Sequence, residues 1–587
     1  MSFKTILLVA SLHLFSLPTN AQIQKGADID GEAVGDESGY SVSMPDANTI
    51  AIGAYGNDGN GSAAGHARIY YWSGTAWLQK GSDIDGEAVE DFSGYSVNMP
   101  DANTIAIGAP WNDGNGLGAG HVRIYSWSGT AWVQKGSDID GEAEHDAFGY
   151  SVSMADANTI AIGAPWNDGN GLDAGHVRIY SWSGTTWVQK GVDIDGEAAG
   201  DLSGYSVSMA DATTIAIGAD ENDGNGDYAG HVRIYSWSGT AWVQKGTDID
   251  GEATDDYSGW AINMPDANTI AIGAPQNDGN GSAAGHVRIY NWSGTLWLQK
   301  GADIDGEAPG DRLGYSVSMP DSNTIAIGAP SNDGNGSAAG HVRIYYWSGT
   351  AWLQKGNEID GEAAGDFSGY SVSLPDATTV AIGAPGNDGN GSSVGHVRVY
   401  SVCNRIITNQ PTNQAMFYGN AIFTCSTNDT LVNFQWQSDL GSGWNNLNNA
   451  GQYSGATTDT LWVSNVTSTN DNQKFRCVIN GNCLTDTTVV ATLTVWGLGI
   501  KDEIIKGIKV YPNPSVAEVI IDNENYSTMG SYNAEIVNAM GQQVFNSVIN
   551  QKQFVIDTKT MGGAGIYTLY IIDENKKVVG VKKIVLQ

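Results

Sequence analysis

The sequence has few basic side chains. Its 587 residues include 28 Lys and Arg against 64 Asp and Glu, which gives a formal net charge of −36 at pH 7. A nucleic-acid-binding surface needs a basic patch, so a nucleic-acid partner is excluded. Acidity of this size instead favours cationic partners, including divalent metal ions.

Long hydrophobic runs are also scarce. Lys4, an apolar run at residues 6–17 and small residues at 19–21 together have the three parts of a secretory signal peptide. We therefore expect residues 1–21 to direct export and to be removed. No later segment approaches 18 apolar residues, so the sequence predicts no transmembrane segment.

Cysteine is rare and confined to one stretch of the last third of the chain. The four residues are Cys403, Cys425, Cys477 and Cys483. An even number of cysteines in an exported chain predicts disulfides, and four cysteines allow three connectivities.

Glycine and tryptophan are abundant, with 77 and 19 residues, and both recur at regular spacing. The block Gly-x-Asp-Ile-Asp-Gly-Glu-Ala opens a unit of 55 residues. Its copies begin at Gly26, Gly81, Gly136, Gly191, Gly246, Gly301 and Gly356, the last with Glu358 in place of the first Asp. A repeat of this length is typical of stacked supersecondary units.

Each unit contains four short runs that alternate with period two. In the second unit they are residues 94–98, 104–108, 121–125 and 131–135, separated by Asn, Asp, Gly and Pro-rich turns. Four antiparallel strands in this length make one propeller blade. The sequence therefore predicts an all-β fold with a seven-bladed β-propeller over residues 22–402.

The ends of the repeat array predict how the ring closes. The seventh unit stops at Val402, before its fourth strand, and a similar run lies at residues 23–25. The N-terminal run would complete the seventh blade and remove the exposed strand edges. A linear stack that starts in mid-repeat is the alternative.

One unit reads Phe148-Gly149-Tyr150-Ser151-Val152 and then Gly163-Ala164-Pro165, which resembles the FG-GAP repeat of integrin α-subunit propellers and bacterial surface proteins. The resemblance covers residues 22–402 and implies a seven-bladed propeller. The family's calcium loop lies between the first two strands. Here that connection, residues 45–49, is too short to supply its ligands, so that site is not expected.

The repeated acidic block is a separate candidate for a metal site. Oxygen side chains at its positions 1, 3, 5 and 9 have the spacing of a calcium loop. The alternative is a linker between blades whose Asp side chains cap turns. The residues in the first two units are Asp28, Asp30, Glu32, Asp36, Asp83, Asp85, Glu87 and Asp91.

Two other features are candidates for a ligand surface. The loop Asn57-Asp58-Gly59-Asn60-Gly61 recurs in every unit, as a turn former or as part of a binding rim. Trp111 and Trp166 follow Gly-Ala-Pro in two units only, and aromatic side chains suit sugar faces and protein interfaces.

Catalysis has little support in the sequence. No Ser/His/Asp order, HExxH helix or Cys/His metal set stands out. Most acids occur in seven equivalent copies, whereas an enzyme has one site. We therefore expect a protein that is not an enzyme and has no certain cofactor, Ca²⁺ being the one candidate.

Cys425, Trp436 and Cys477 have the Cys…Trp…Cys spacing of an immunoglobulin-like sandwich, predicted over residues 403–497. The resemblance pairs Cys425 with Cys477 and leaves Cys403 with Cys483. An unrelated small β domain with two disulfides is the alternative.

Residues 503–587 resemble the C-terminal sorting domain of type IX secretion substrates. The resemblance begins at Tyr511-Pro512-Asn513-Pro514 and ends at Lys582-Lys583-Ile584-Val585. It implies a small β-sandwich, the type IX secretion machinery as a partner, and a location on the outer surface of a Gram-negative bacterium or outside the cell.

These features together favour a secreted or cell-surface binding or adhesion protein whose propeller rim contacts a glycan or a protein. A secreted polysaccharide-active enzyme on a propeller scaffold is one alternative. A structural component of a surface layer is another.

Overall fold

Seven small antiparallel sheets make up the first part of the computed structural model. The structure describes residues 22–402, 407–416, 419–427, 432–441, 443–481, 485–495, 507–524, 532–574 and 576–587. The predicted signal peptide lies outside them. The chain divides into two units, Met1–Asn404 and Arg405–Gln587.

Each blade has an inner, a second, a third and an outer strand, joined in that order. The inner strands are Ser41–Asp46, Ser96–Asp101, Ser151–Asp156, Ser206–Asp211, Ala261–Asp266, Ser316–Asp321 and Ser371–Asp376. The second strands are Thr49–Ala54, Thr104–Ala109, Thr159–Ala164, Thr214–Ala219, Thr269–Ala274, Thr324–Ala329 and Thr379–Ala384.

The third strands are His66–Trp72, His121–Trp127, His176–Trp182, His231–Trp237, His286–Trp292, His341–Trp347 and His396–Val402. The outer strands are Trp77–Gln79, Trp132–Gln134, Trp187–Gln189, Trp242–Gln244, Trp297–Gln299, Trp352–Gln354 and Gln22–Gln24. The four strands predicted for each unit are thus confirmed.

A short fifth strand, not expected from the sequence, pairs with each third strand. It is the Ile-Asp pair of the acidic block that opens the next unit, so this block ties neighbouring units together. The seven copies are Ile29–Asp30, Ile84–Asp85, Ile139–Asp140, Ile194–Asp195, Ile249–Asp250, Ile304–Asp305 and Ile359–Asp360.

The ring closes as predicted. Gln22, Ile23 and Gln24 pair with Val402, Ser401 and Tyr400, so the N-terminal strand is the outer strand of the seventh blade. A linear stack is therefore excluded, and the edge of the last third strand is covered.

The hydrophobic cores lie between the blades. Every second strand alternates Ile or Val with Ala, and all six of its residues are buried. In one core, Ala106 of the second blade packs with Ile160 and Ile162 of the third. The small residue on one face admits the large residues of the neighbouring blade, and seven such cores complete the ring.

The second unit begins with an immunoglobulin-like sandwich. Its strands are Ile407–Asn409, Gln414–Met416, Gly419–Thr424, Ser426–Thr427, Val432–Asp439, Asn445–Asn446, Tyr453–Ser454, Thr460–Val466, Gln473–Gly481, Thr485–Thr487 and Ala491–Val495, with a 3₁₀ turn at Ser468–Asn470. A six-stranded and a three-stranded sheet enclose Trp436, which is fully buried with Phe423 and Phe475. This arrangement matches the expected tryptophan core.

A second, separate core follows in the same unit. Its strands are Ile508–Tyr511, Glu518–Asn523, Tyr532–Val537, Gln543–Ile549, Gln553–Asp557, Gly565–Ile572 and Val578–Leu586, with a 3₁₀ turn at Thr558–Met561. A three-stranded and a four-stranded sheet bury Ile521, Ile536 and Leu569 between them. The segment is a small β-sandwich, as expected. None of the helices in the described part of the chain has the length and apolarity to span a membrane.

Candidate ligand-binding face of the propeller

Seven aromatic side chains close the centre of the propeller. Each one directly precedes an inner strand, and neighbouring ring centroids are 4.8–5.2 Å apart around the complete circle. Burial raises the pKa of Tyr370 to about 12, so its hydroxyl is neutral at physiological pH. We call this set the axial ring; its members are Tyr40, Tyr95, Tyr150, Tyr205, Trp260, Tyr315 and Tyr370.

A glycine with positive φ places each member of the axial ring. Gly39 has φ +91°, and a Cβ there would lie 2.6 Å from the carbonyl oxygen of His396. Glycine is therefore required where the chain turns from the neighbouring blade into the inner strand. The sequence analysis missed the ring, although an aromatic residue follows this glycine in every unit.

The upper face of the propeller is the face on which the inner strands begin and the second strands end. On it, four aromatic side chains of the first three blades form a continuous surface, the aromatic shelf: Tyr55, Phe92, Trp111 and Trp166. Successive centroids are 5.6, 5.3 and 6.3 Å apart. Trp111 lies 5.2 Å from Tyr95 of the axial ring and is 36% exposed. The structure thus brings the two predicted tryptophans together.

Next to the shelf is a cavity of about 270 Å³, the axial pocket. Four of its eight lining residues are aromatic, and Glu37 supplies a carboxylate that accepts a hydrogen bond of 2.6 Å from the Tyr55 hydroxyl. Gly386 stands at the wall in the position that Trp111 and Trp166 occupy in their blades. The other lining residues are Tyr40, Tyr370, Phe367, Pro385 and Ser393.

The predicted four-carboxylate calcium loop is not assembled. Asp36 is buried, and its Oδ2 accepts hydrogen bonds from the backbone N–H groups of Glu32 and Ala33 at 3.0 and 2.9 Å. Asp91 does the same for Glu87 and Ala88. These two acids therefore cap turns, which was the alternative interpretation of the block.

The remaining acids of the block turn toward different blades. Glu32 lies 3.3 Å from the Arg68 guanidinium, which also donates to the Asp30 carbonyl at 2.8 Å. Asp28 lies 3.7 Å from His396. The Asp28 and Asp30 carboxylates and a ring nitrogen of His396 lie within 4.8 Å of one another, whereas Asp36 is held by its own turn and Glu32 by Arg68. The four carboxylates of the block are therefore divided between separate groups. In the second unit, Asp83 and Asp85 occupy the positions equivalent to Asp28 and Asp30.

The structure instead groups one His with two acids at each blade. Around His121, the carboxylates of Glu87 and Asp138 and a ring nitrogen lie within 4.8 Å of one another. Burial, and next the charge of Arg123, lower the pKa of His121 to about 4, so the imidazole is neutral. The set could hold a divalent cation, but Arg123 lies 3.6 Å from Glu87 and competes for the same carboxylate.

The Asn57 and Asp58 side chains stabilise their own loop, and the Asn60 side chain ties this loop to the acidic block of the next unit. Asn57 accepts from the Gly59 N–H at 2.8 Å, and Asp58 accepts from the Ala63 N–H at 2.8 Å. Asn60 donates to the carbonyl of Gly86 at 2.7 Å. The loop is exposed, but the prediction of these side chains as ligand contacts is weakened, since each already has a backbone partner.

Cys425 and Cys477 are buried in one core as free thiols. The neighbouring Cys425 side chain, and next burial, raise the pKa of Cys477. The two side chains are neighbours in the core, where the predicted pair would lie, but they form no disulfide bond in the structure, so the predicted pairing stays a prediction. Cys403 and Cys483 lie outside the described residues.

The predicted sorting motif fastens the last strand of the chain. Asn513 donates to the Lys583 carbonyl at 2.6 Å and accepts from the Val585 N–H at 2.8 Å. Tyr511 donates to Asp522 at 2.9 Å. Pro512 and Pro514 flank Asn513, so the short motif holds the first and last strands of the sandwich in fixed register.

Comparison with known families finds two matches. Residues 135–180 and 303–345 match the FG-GAP repeat. Residues 509–587 match the secretion system C-terminal sorting domain. Comparison with curated proteins finds no match.

Solved structures give distant similarities. The Ig1-2 module of Drosophila receptor protein tyrosine phosphatase DLAR is 15% identical, with a TM-score of 0.14, covering 32% of this chain and 100% of that one. Drosophila OTK extracellular domains 3-5 are 12% identical, with a TM-score of 0.19, covering 50% and 81%. At these TM-scores neither similarity carries an argument. The family matches show that the chain contains FG-GAP repeats, folded as a seven-bladed propeller, and a secretion system C-terminal sorting domain. The sorting domain directs the protein to the cell surface or the extracellular space.

Proposed function

We propose that this protein is a non-enzymatic binding or adhesion protein whose upper propeller face contacts an extracellular glycan or protein. The observation that carries the proposal is the junction of the axial pocket and the aromatic shelf. Clefts lined by aromatic side chains with a few polar groups are the usual form of a ligand site. The sorting domain supports the proposal, because it brings this face to the outside of the cell.

The enzyme alternative is supported by one pair of acids found in a single blade. Asp220 and Glu221 stand where most blades have Pro and an uncharged residue. Burial raises the pKa of both groups, as in many catalytic acids. However, Asp220 is only 1% exposed, so its carboxyl does not reach a substrate on the surface. We therefore favour binding over hydrolysis.

The proposal is tested with the purified full chain on panels of extracellular glycans and surface proteins. We expect retention on at least one ligand, unchanged in the Glu221→Gln variant, and no release of sugar or peptide products. Retention on no ligand would contradict the proposal. Product release that Glu221→Gln abolishes would establish the enzyme in its place.

A further inference from the structure

Two of the positions at which the seven near-identical units differ most lie at the mouth of the central axis. One is the position that follows Gly-Ala-Pro. The other lies two residues before the glycine that precedes each member of the axial ring. The first set is Gly56, Trp111, Trp166, Glu221, Gln276, Ser331 and Gly386. The second set is Glu37, Phe92, Ala147, Leu202, Tyr257, Arg312 and Phe367.

Exposure alone does not explain this variation. The loop Ser73-Gly74-Thr75 lies on the opposite, lower face and is also solvent-accessible, yet it is the same in all six units that contain it. The Asn57–Gly61 loop is invariant in all seven units. The two sets therefore make the mouth of the central axis an asymmetric site, with different side chains from each blade.

The chemistry of this site suits sugar rings. The shelf offers a row of aromatic rings whose centroids are 5.3–6.3 Å apart, comparable with the length of one pyranose ring, and whose planes are inclined to one another by 42–69°. Aromatic side chains combine a large apolar face with polar edges, as do sugar rings. In the axial pocket, the Glu37 carboxylate is a strong acceptor for hydroxyl groups.

The negative charge of the protein restricts the kind of glycan that can bind at this site. The chain carries a net charge of −36, Glu37 lies in the pocket, and the two sets at the mouth contain the acids Glu37 and Glu221 against the single base Arg312. This field repels uronate-rich or sulfated polymers. We propose that the axial pocket takes the end of a neutral glycan and that the following sugar units lie along the aromatic shelf across the first three blades.

This inference rests on the proposed function and names its ligand class. The test is gel retardation of the full chain by neutral polymers (laminarin, mannan, dextran), polyanions (alginate, polygalacturonate) and the polycation chitosan. The test variant is Trp111→Ser with Trp166→Ser, because Ser331 shows that the fold accepts Ser at this position. Trp462→Ser, at an exposed tryptophan of the immunoglobulin-like sandwich, is the matched control.

We expect a neutral polymer to retard the chain, at least tenfold weaker affinity in the double variant, and unchanged affinity in Trp462→Ser. Retardation only by a charged polymer, or equal binding by the double variant, would overturn the inference and leave the proposed function intact. Binding to a surface protein but to no glycan would do the same. Binding to no glycan and no protein would overturn both.

A second measurement uses the unchanged protein and so does not depend on the folding of a variant. N-bromosuccinimide oxidises exposed tryptophans, and mass spectrometry locates the modified residues. We expect the neutral polymer to protect Trp111 at least threefold and to leave Trp462, 46% exposed on the immunoglobulin-like sandwich, as reactive as before. Equal oxidation of Trp111 with and without the bound polymer would overturn the inference.

Discussion

At the scale of single residues, Asp220 is the clearest departure from the repeat. Five units have Pro at this position, and the Asp carboxyl is buried with its Oδ1 unpartnered among the described residues. Its own backbone N–H donates to the same carboxyl. Buried polar groups without a full set of partners lower stability.

Replacing Asp220 by Pro is expected to stabilise the propeller by about 1–3 kcal/mol, since it removes an unsatisfied buried group and restores the residue used by other blades. Burial raises the folded-state pKa of this carboxyl above its unfolded value. The raised pKa therefore does not lower the free energy of unfolding below about pH 4, and it lowers that free energy increasingly as pH rises. Denaturant unfolding of wild type and Asp220→Pro at pH 4 and pH 7 measures both effects.

Asp220→Asn is the matched control, because it removes the charge and keeps the polar side chain. We expect a smaller gain that also grows with pH. A loss of stability in Asp220→Pro at pH 7 would show that the carboxyl contributes favourable contacts that the geometry does not indicate.

At the scale of elements, some features could be predicted from sequence and others could not. The four strands and the closing strand follow from period-two patterns and strand counts, which are local properties. The hydrogen-bond and ion-pair partners of the acidic block, in contrast, depend on residues that are distant in sequence. Asp36 turns inward to its own backbone, while Glu32 reaches Arg68 on another strand, and no spacing rule distinguishes these outcomes.

Calcium removal tests the turn-capping assignment. Because Asp36 and Asp91 already accept backbone hydrogen bonds without an ion, we expect excess chelator to leave the melting temperature within about 1 °C. Calorimetry of the full chain with calcium and with EDTA measures this. A drop of several degrees on chelation would mean that an ion contributes to the fold at these blocks or at the His-centred groups.

The sorting motif gives a second prediction for an element. Asn513→Ala removes two hydrogen bonds to the last strand, so we expect the C-terminal sandwich to lose about 1–3 kcal/mol and the cell to export less protein. Limited proteolysis and surface labelling measure the two effects. Asn546→Ala, which removes an exposed side-chain contact with Asn533, is the control and is expected to behave as wild type.

At the scale of the whole molecule, closure depends on three residues. Gln22–Gln24 cover the edge of the seventh third strand. Deleting them exposes an unpaired edge, so we expect a lower melting temperature and self-association through that edge. Calorimetry and light scattering measure the result. The Ile23→Ala variant keeps the backbone pairing and is expected to stay monomeric; a monomeric, equally stable deletion would contradict this account of closure.

The same buried histidine occurs in all seven blades, so its effect on the stability of the propeller is repeated seven times. Each third strand begins with a His that is 1–2% exposed, and burial, followed by the adjacent Arg, lowers the pKa of all seven, to about 4 in blades such as that of His66. The folded-state pKa is below the unfolded value of about 6.5, so the folded state binds fewer protons and stability falls as pH drops from 6.5 toward 4.

Each of the five histidines whose pKa falls to about 4 is then expected to cost about 2 kcal/mol at pH 5 relative to pH 7, and the lowered pKa of the other two adds to the acid sensitivity of the propeller. Buried carboxyls such as Asp146 and Asp220, whose pKa values are raised by burial, oppose this, because the folded state keeps these protons to a higher pH than the unfolded state does. His121→Gln separates the two effects: its stability should fall less than wild type between pH 7 and pH 5, by the contribution of one His. An equal fall in both proteins, measured by denaturant unfolding, would show that carboxyl groups alone set the pH dependence.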